Sequence, residues 1–540
     1  MAEEVAMRNA LRKTWQHVGN ISRRELLRRG TALSIPGLLG TGLPALSTAA
    51  PALVAGRDLY QSIGVRPLIN CRGTFTIISG SVMLPEVRAA IESAAQRYVH
   101  LDELAEAVGQ RLSELTKGEW GMVSTGCAAG LTVATAACVA GGNPDLHVRI
   151  PDLSGFPKDE VIIPRHSRNV YDAAVRAVGV RVLEVETLDD LDAAMGPRTA
   201  MIYILAGRNA ERGPLAFDVV AKRAAERNVP VLVDAAAEVL TVPNVHLERG
   251  ATLVAYSGGK CLRGPQTAGL LLGRKDLVQA AWVHNAPHHG FGRSLKVGKE
   301  EAIGMLMAVE MWVRRDHQAE WARWRGWLET IGSRASQVDG VRTEITEPPE
   351  EQLSNRSPSL RIAWNPAEFR FSGADVAEQL MNGEPRIAVS GGRGSAEETG
   401  ISITPYMMDP ADADPVAERI HQILSQAAGP PTSDPAVPPV ADLSGRWDVH
   451  ITFRASESDH VVYLSQQGNQ LAGRHQGEFV ARDCNGTISG DAVVFGSSAS
   501  PNGDSLRYRF TGTVSGDTMS GELDMGEYLG ASWTAKRPGA

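Results

Sequence analysis

Apolar runs of strand length recur through the middle of the chain: "MIYILA" at 201–206, "VPVLVD" at 229–234, "ATLVAY" at 251–256 and "GLLLG" at 269–273. Between the first two, "LAFDVVAKRAAERN" places Leu215, Val219, Val220 and Ala224 on one helical face. Further upstream, "LPEVRAAIESAAQRYV" reads as a helix opened by Pro85. Strand, helix and strand at this rhythm predict an α/β domain with a mostly parallel sheet. Ligands of such sheets bind beyond the carboxyl ends of the strands. Asp234 and the glycine-rich turn "SGGKCLRGPQ", which holds Lys260, both fall at such ends. A lone lysine at the mouth of a buried sheet is either paired or reactive.

The chain has 540 residues, enough for more than one domain. The α/β pattern runs over 57–426. A proline-rich linker, "AAGPPTSDPAVPPV", covers 427–440 and has no periodicity. Residues 441–540 break into short alternating segments such as "GRWDVHITF", "HVVYLSQQ" and "SLRYRFTGTVSG", divided by Gly, Asn and Asp. They predict a small all-β meander barrel. Gly445-Arg446-Trp447 resembles the Gly-x-Trp signature of lipocalin and avidin barrels. This segment shows no clustered His, Asp or Glu, so catalysis is not expected there. At the front, Ser22-Arg23-Arg24 precedes Leu26-Leu27, a mildly apolar stretch and small residues at 49–52. That order resembles a twin-arginine export signal over 1–56 and predicts an exported, periplasmic protein handled by the twin-arginine machinery. Pro36 and Pro44 make the stretch a poor membrane span.

A net charge of −8 argues against a nucleic-acid partner. The five cysteines, Cys71, Cys127, Cys138, Cys261 and Cys484, form no CxxC pair, which excludes a disulfide framework and a cysteine zinc site. No HExxH pattern occurs, and His288-His289 stands alone, so no metal is expected.

Three features share one chemistry. Lys260 offers an amine, and Asp234 offers a carboxylate that is either a helix cap or the partner of a ring nitrogen. "VSTGCAAGLTVATAACVAG" (123–141) offers a helix N-terminus, where backbone N–H groups and the macrodipole favour an anion. Together they are what pyridoxal phosphate needs: a Schiff-base lysine, a carboxylate for the ring nitrogen and a phosphate cup. The chain order of cup, aspartate and lysine is that of the fold type I, aminotransferase-like enzymes.

"YSGGKCLRGPQTAGLLLGRKDL" resembles the lysine segment of bacterial selenocysteine synthase (seryl-tRNA selenium transferase). "VLVDAAAE", "YQSIGVRPLINCRGT" and "GRSLKVGKEEAIGML" resemble the branch containing D-glucosaminate-6-phosphate ammonia-lyase. The resemblance covers about 57–425 and implies roles by position. Lys260 would hold the cofactor and shuttle the α-proton. Asp234 would bind the ring nitrogen. Thr125, Gly126 and Cys127 would hold the phosphate, assisted by Ser257, and His166 would lie against the ring. Arg66, Asn70 and Arg293 would receive the substrate carboxylate. Arg72 stands where the family often has a small residue, which puts carried-over specificity in doubt. Cys127 and Cys261 are expected to be small buried residues rather than nucleophiles. The resemblance further implies a homodimer or larger ring.

The expected reaction is α,β-elimination from a 2-amino-3-hydroxy acid, giving a 2-oxo acid and ammonia. Selenium-transferase-like β-replacement, racemisation and transamination are the alternatives. An alternative of another class is a non-catalytic scaffold whose barrel binds a ligand.

Overall fold

The computed structural model describes residues 59–392, 394–395, 397–427, 429, 437–500 and 505–539. The export signal expected over 1–56 and most of the expected linker lie outside these residues. The chain forms two units, 1–66 and 67–540. In the first, a short helix, Leu59–Ser62, is followed by a turn in which Val65 N–H donates to Tyr60 O.

The second unit begins with β1 (Ile69–Asn70). Its large sheet comprises β2 (Trp120–Ser124), β3 (Glu160–Pro164), β4 (Arg181–Val185), β5 (Thr199–Leu205), β6 (Val231–Asp234), β7 (Leu253–Ser257) and β8 (Gly269–Gly273). Their spatial order is β2-β8-β7-β6-β5-β3-β4. All neighbours are parallel except β8, which runs antiparallel to both β2 and β7. The central strands are buried along their length because both faces are covered, which is why their sequences show no polar alternation. One cover is the helix Gly126–Ala140, an Ala-rich segment buried on nearly every side. Its small side chains let it lie close against the strands.

The helix predicted after β5 spans Phe217–Glu226 and buries Phe217, Val220, Ala221 and Ala224. Leu215, Val220 and Ala224 are buried as expected, but Val219 is exposed. The helix starts at Phe217, and the large ring takes the inward position. Burying such a side chain stabilises by about 1.5–3 kcal/mol. The helix opened by Pro85 ends at Ala95.

A second sheet, ordered β12-β13-β10-β9, is fully antiparallel: β9 (Arg342–Thr346), β10 (Ser359–Trp364), β12 (Ser390–Gly392) and β13 (Thr399–Ile403). Helices His317–Ala335, Gly373–Asn382 and Ala413–Ala427 share its core around Trp364, Leu360 and Ile420. β11 (Ile387–Ala388) pairs in parallel with β1, so residues 69–71 enter this region directly. Cys71 O accepts from Thr404 N–H.

Residues 445–536 form a closed antiparallel barrel of eight strands. These are β14 (Gly445–Thr452), β15 (Glu457–Gln467), β16 (Gln470–Gln476), β17 (Ala481–Ser489), β18 (Ala492–Ala499), β19 (Leu506–Ser515), β20 (Thr518–Asp524) and β21 (Gly530–Lys536). Each strand pairs with the next, and β14 pairs with β21. Trp447, Phe495, Phe510 and Trp533 fill one part of the interior. Among the described residues no helix is long and apolar enough to cross a membrane.

Candidate active site

Asp234 ends β6 and is buried. Its Oδ2 accepts from the Tyr203 hydroxyl at 2.9 Å, and its Oδ1 accepts from Ala236 N–H at 3.1 Å and from the Cys127 thiol at 3.6 Å. Burial pushes its carboxyl above the usual range. The Ala236 and Tyr203 hydrogen bonds and the nearby Lys260 ammonium pull the other way. Tyr203 lies one strand over on β5 and is itself held by Asn169 Nδ2 at 3.1 Å. Neither Tyr203 nor Asn169 was foreseen from sequence. A tyrosine inside an apolar run reads as core until a buried carboxylate is found opposite its hydroxyl.

The first turn of helix Gly126–Ala140 is built to receive an anion. Thr125 is its N-cap but makes no capping bond; its hydroxyl donates to Leu295 O at 2.7 Å. The first-turn N–H groups are therefore left without a side-chain acceptor. Gly126 adopts φ +77°, which a residue with a Cβ rarely takes. Gly269 on β8 is opposite both Ser124 and Ser257. A Cβ on Gly269 would stand 2.4 Å from the Gly126 carbonyl carbon and 2.6 Å from Cys127 N. That close approach brings Thr125, Gly126, Cys127 and Ser257 together, as the sequence predicts.

His166 follows β3 in a 3₁₀ turn, Arg165–Ser167. Its Nε2–H donates to Leu215 O at 3.1 Å, and Nδ1 accepts from the Ser167 hydroxyl at 3.1 Å. Both ring edges are thus fixed, and only a ring face is left for a ligand.

Lys260 is half-buried and lines a cleft of about 750 Å³ with Arg72, Arg208, Tyr171, Asn355 and Tyr406. The Arg72 Nε is buried without a partner, and its guanidinium lies 4.4 Å from the centre of the Phe75 ring. The Arg208 Nη2 donates to Gln352 Oε1 at 3.1 Å. These are the cations of the cleft, and they differ from the expected substrate residues. Asn70 is spent on its own loop: Oδ1 accepts from Arg72 N–H and Gly73 N–H, and Nδ2 donates to Gly73 O. Arg293 is exposed and does not line the cleft. Arg66 is exposed and closes the N-terminal unit.

The thiols are poor nucleophiles. Burial and the Asp234 charge push Cys127 well above the ordinary thiol range. Burial raises Cys261 to about 11. His288 bonds the carbonyls of Trp282 and Asn285, and no metal-holding cluster occurs among the described residues.

The residues fit pyridoxal phosphate. A buried carboxylate, held by three donors at a strand end, suits a protonated ring nitrogen. The uncapped helix start suits a phosphate. Lys260 stands within electrostatic reach of Asp234, as its pull on that carboxyl shows.

No protein-family model matches the chain. Over 380 residues it is 28% identical to D-glucosaminate-6-phosphate ammonia lyase of Salmonella typhimurium, covering 69% of this chain and 99% of that one. Over 385 residues it is 29% identical to 5'-C-glycyluridine monooxygenase-decarboxylase of a Streptomyces species, covering 69% and 94%. Against L-seryl-tRNA(Sec) selenium transferase of Moorella thermoacetica the identity is 28% over 272 residues, 44% of this chain and 53% of that one. A solved structure of D-glucosaminate-6-phosphate ammonia-lyase matches with a TM-score of 0.61 at 27% identity, covering 69% of this chain and 99% of that one. In sequence and in architecture the chain is thus similar to D-glucosaminate-6-phosphate ammonia lyase and, over a shorter stretch, to selenium transferase, and its fold is that of the fold type I pyridoxal phosphate enzymes.

Proposed function

We propose that this chain is a pyridoxal phosphate-dependent lyase that eliminates water from a 2-amino-3-hydroxy acid and yields a 2-oxo acid and ammonia. The observation that carries the reading is that Lys260, Asp234 and an uncapped helix start stand at or just after the carboxyl ends of β7, β6 and β2 in one sheet. The similarity to an ammonia lyase over 69% of the chain supports elimination.

When bound, the cofactor supplies an electron sink conjugated to the substrate α-carbon. The first-turn N–H groups of 126–128 and the Ser257 hydroxyl hold the phosphate. Asp234 keeps a proton on the ring nitrogen, and Tyr203, Ala236 and Cys127 keep Asp234 in place. His166 bounds one face. Arg72 and Arg208 receive the carboxylate of the amino acid. Lys260 Nζ takes the α-proton and returns a proton to the departing β-hydroxyl, which leaves as water. Hydrolysis of the released enamine then gives the 2-oxo acid and ammonia.

In this reading the chain works as a homodimer or larger ring, with a free small amino acid as substrate and no nucleic acid. The twin-arginine pattern at 22–27 supports export and hence an extracytoplasmic substrate, which disfavours a phosphorylated sugar acid or a tRNA-bound serine.

The test is an absorbance titration of purified protein loaded with pyridoxal phosphate, beside Lys260→Ala, with D- and L-hydroxy amino acids. A visible band in wild type alone, perturbed by one such acid with release of ammonia, is expected. Oxygen consumption with carbon dioxide release would move the reaction to the oxidative decarboxylase type of the Streptomyces relative. No band after loading would sink the cofactor reading and favour the scaffold.

A further inference from the structure

The barrel has a second polar centre. Strand alternation sends His460, His475, Arg482, Ser497 and Tyr508 inward near one end, from five consecutive strands. His475 is opposite Arg482 in the β16–β17 ladder, and Ser497 is opposite Tyr508 in the β18–β19 ladder. His460 Nδ1 and His475 Nε2 share a hydrogen at 2.8 Å, and His475 Nδ1 meets the Ser497 hydroxyl at 2.7 Å. The sequence reading of a β-domain without clustered histidines is therefore corrected. His460 and His475 are 15 residues apart, and the hairpin between them brings them together.

Arg482 is only 6% exposed. Its guanidinium carbon lies 4.5 Å from the centre of the Tyr508 ring, but Nε and Nη1 are buried and have no hydrogen-bond acceptor. No carboxylate forms an ion pair with it among the described residues. Glu478, the nearest acid in the adjoining turn, accepts instead from the Ser458 hydroxyl at 2.8 Å. Burial favours the neutral form of both histidines, pushing His475 down to about 3 and lowering His460. A buried cation without a counter-charge is costly, and the interior here supplies none. Gly477 has no side chain, and a Cβ on it would stand 3.3 Å from Arg482 Nη1 and 3.5 Å from the His460 ring. Phe479, in the same turn, is 93% exposed.

We propose that this end of the barrel is a binding site for a small organic carboxylate. The carboxylate supplies the missing counter-charge to Arg482 and enters beside Gly477. His460 and Ser497 offer further polar atoms, and the Tyr508 and Phe479 rings suit an apolar body. A single arginine flanked by neutral histidines matches one negative charge, so a monocarboxylate fits better than a dianionic phosphate. The barrel would then be a ligand-binding module carried on the catalytic chain, with a site of its own.

The test is calorimetric titration of the full, cofactor-loaded chain with benzoate. Wild type is expected to bind. Arg482→Met removes the guanidinium and keeps an unbranched apolar stem, and should weaken binding by about tenfold or more, the loss of a hydrogen bond to a charged group. Gly477→Val keeps the arginine but crowds the space beside its Nη1 and should weaken binding similarly. Arg72→Met removes a cation of the catalytic cleft and should leave this event unchanged. If Arg482→Met lacks the barrel's own unfolding transition, Gly477→Val decides alone. Absence of binding in wild type, binding that Arg72→Met removes, or equal binding in wild type and Gly477→Val would each overturn the proposal.

Discussion

Tyr203 and Asp234 lie on adjacent parallel strands, and the Tyr203 hydroxyl reaches Asp234 Oδ2 at 2.9 Å inside the sheet's carboxyl end. The bond gives the buried carboxylate one of its three donors, and a bond to a charged acceptor is worth about 1.5–3 kcal/mol. Tyr203→Phe should therefore lower cofactor affinity by about ten- to a hundredfold while the fold stays intact. Asp234→Asn should do more, since it removes the charge as well. Cofactor dissociation constants for both variants, read from the visible band, check the order.

Gly269→Ala tests the phosphate cup from behind. The added methyl overlaps the backbone at Gly126 and Cys127, and backbone cannot swing aside as a side chain can. We expect about 1–3 kcal/mol of destabilisation and weaker cofactor binding from one methyl group. Urea unfolding with and without cofactor separates the two effects. Wild-type cofactor affinity in this variant would refute the close approach.

Arg72 and Asn70 are two residues apart but should fail differently. Arg72→Met takes a cation from the cleft and should raise KM for the amino acid about tenfold or more, with the visible band unchanged. Asn70→Ala removes bonds within the 70–80 loop and should cost stability, about 1 kcal/mol for each neutral bond lost. Steady-state kinetics and melting curves on the two variants distinguish a substrate residue from a loop residue.

The barrel should weaken in mild acid. His475 has a folded value of about 3 against an ordinary 6.5 because burial favours its neutral form. Above pH 6.5 neither state binds the proton, and the stability is fully present. Below it the unfolded chain protonates first, and stability falls by about 1.4 kcal/mol per pH unit until pH approaches 3. His475→Gln should flatten this slope in the barrel's unfolding transition between pH 4 and 6. His284, lowered to about 4 by burial and by His147, should give the α/β region a response of the same sign that levels off nearer pH 4 and is smaller in total.

Lys260, Asp234 and the helix start were legible because each is fixed by local rules: a glycine-rich turn, a strand end and a glycine-opened helix. The β-meander was legible through its alternation. What escaped was set by neighbours distant in sequence. The task of Tyr203 depends on Asp234, 31 residues later. Asn70 looked available for a ligand because its four hydrogen-bonding valences can be assigned only once the loop closes on Gly73 and Gly80. Arg72 was noticed as out of place, but only the structure puts it on the cleft wall. The histidine pair of the barrel needed the strand register.

The ring of β-strands closes when the segment Gly530–Lys536 settles between β14 and β20. Proteolytic loss of this segment would strip partners from two strands at once and expose both as unpaired edges. Such an edge invites pairing with another chain, so a trimmed barrel would be lost by aggregation rather than persist as a shortened form. An intact Gly530–Lys536 segment is thus a condition for the barrel's survival among proteases.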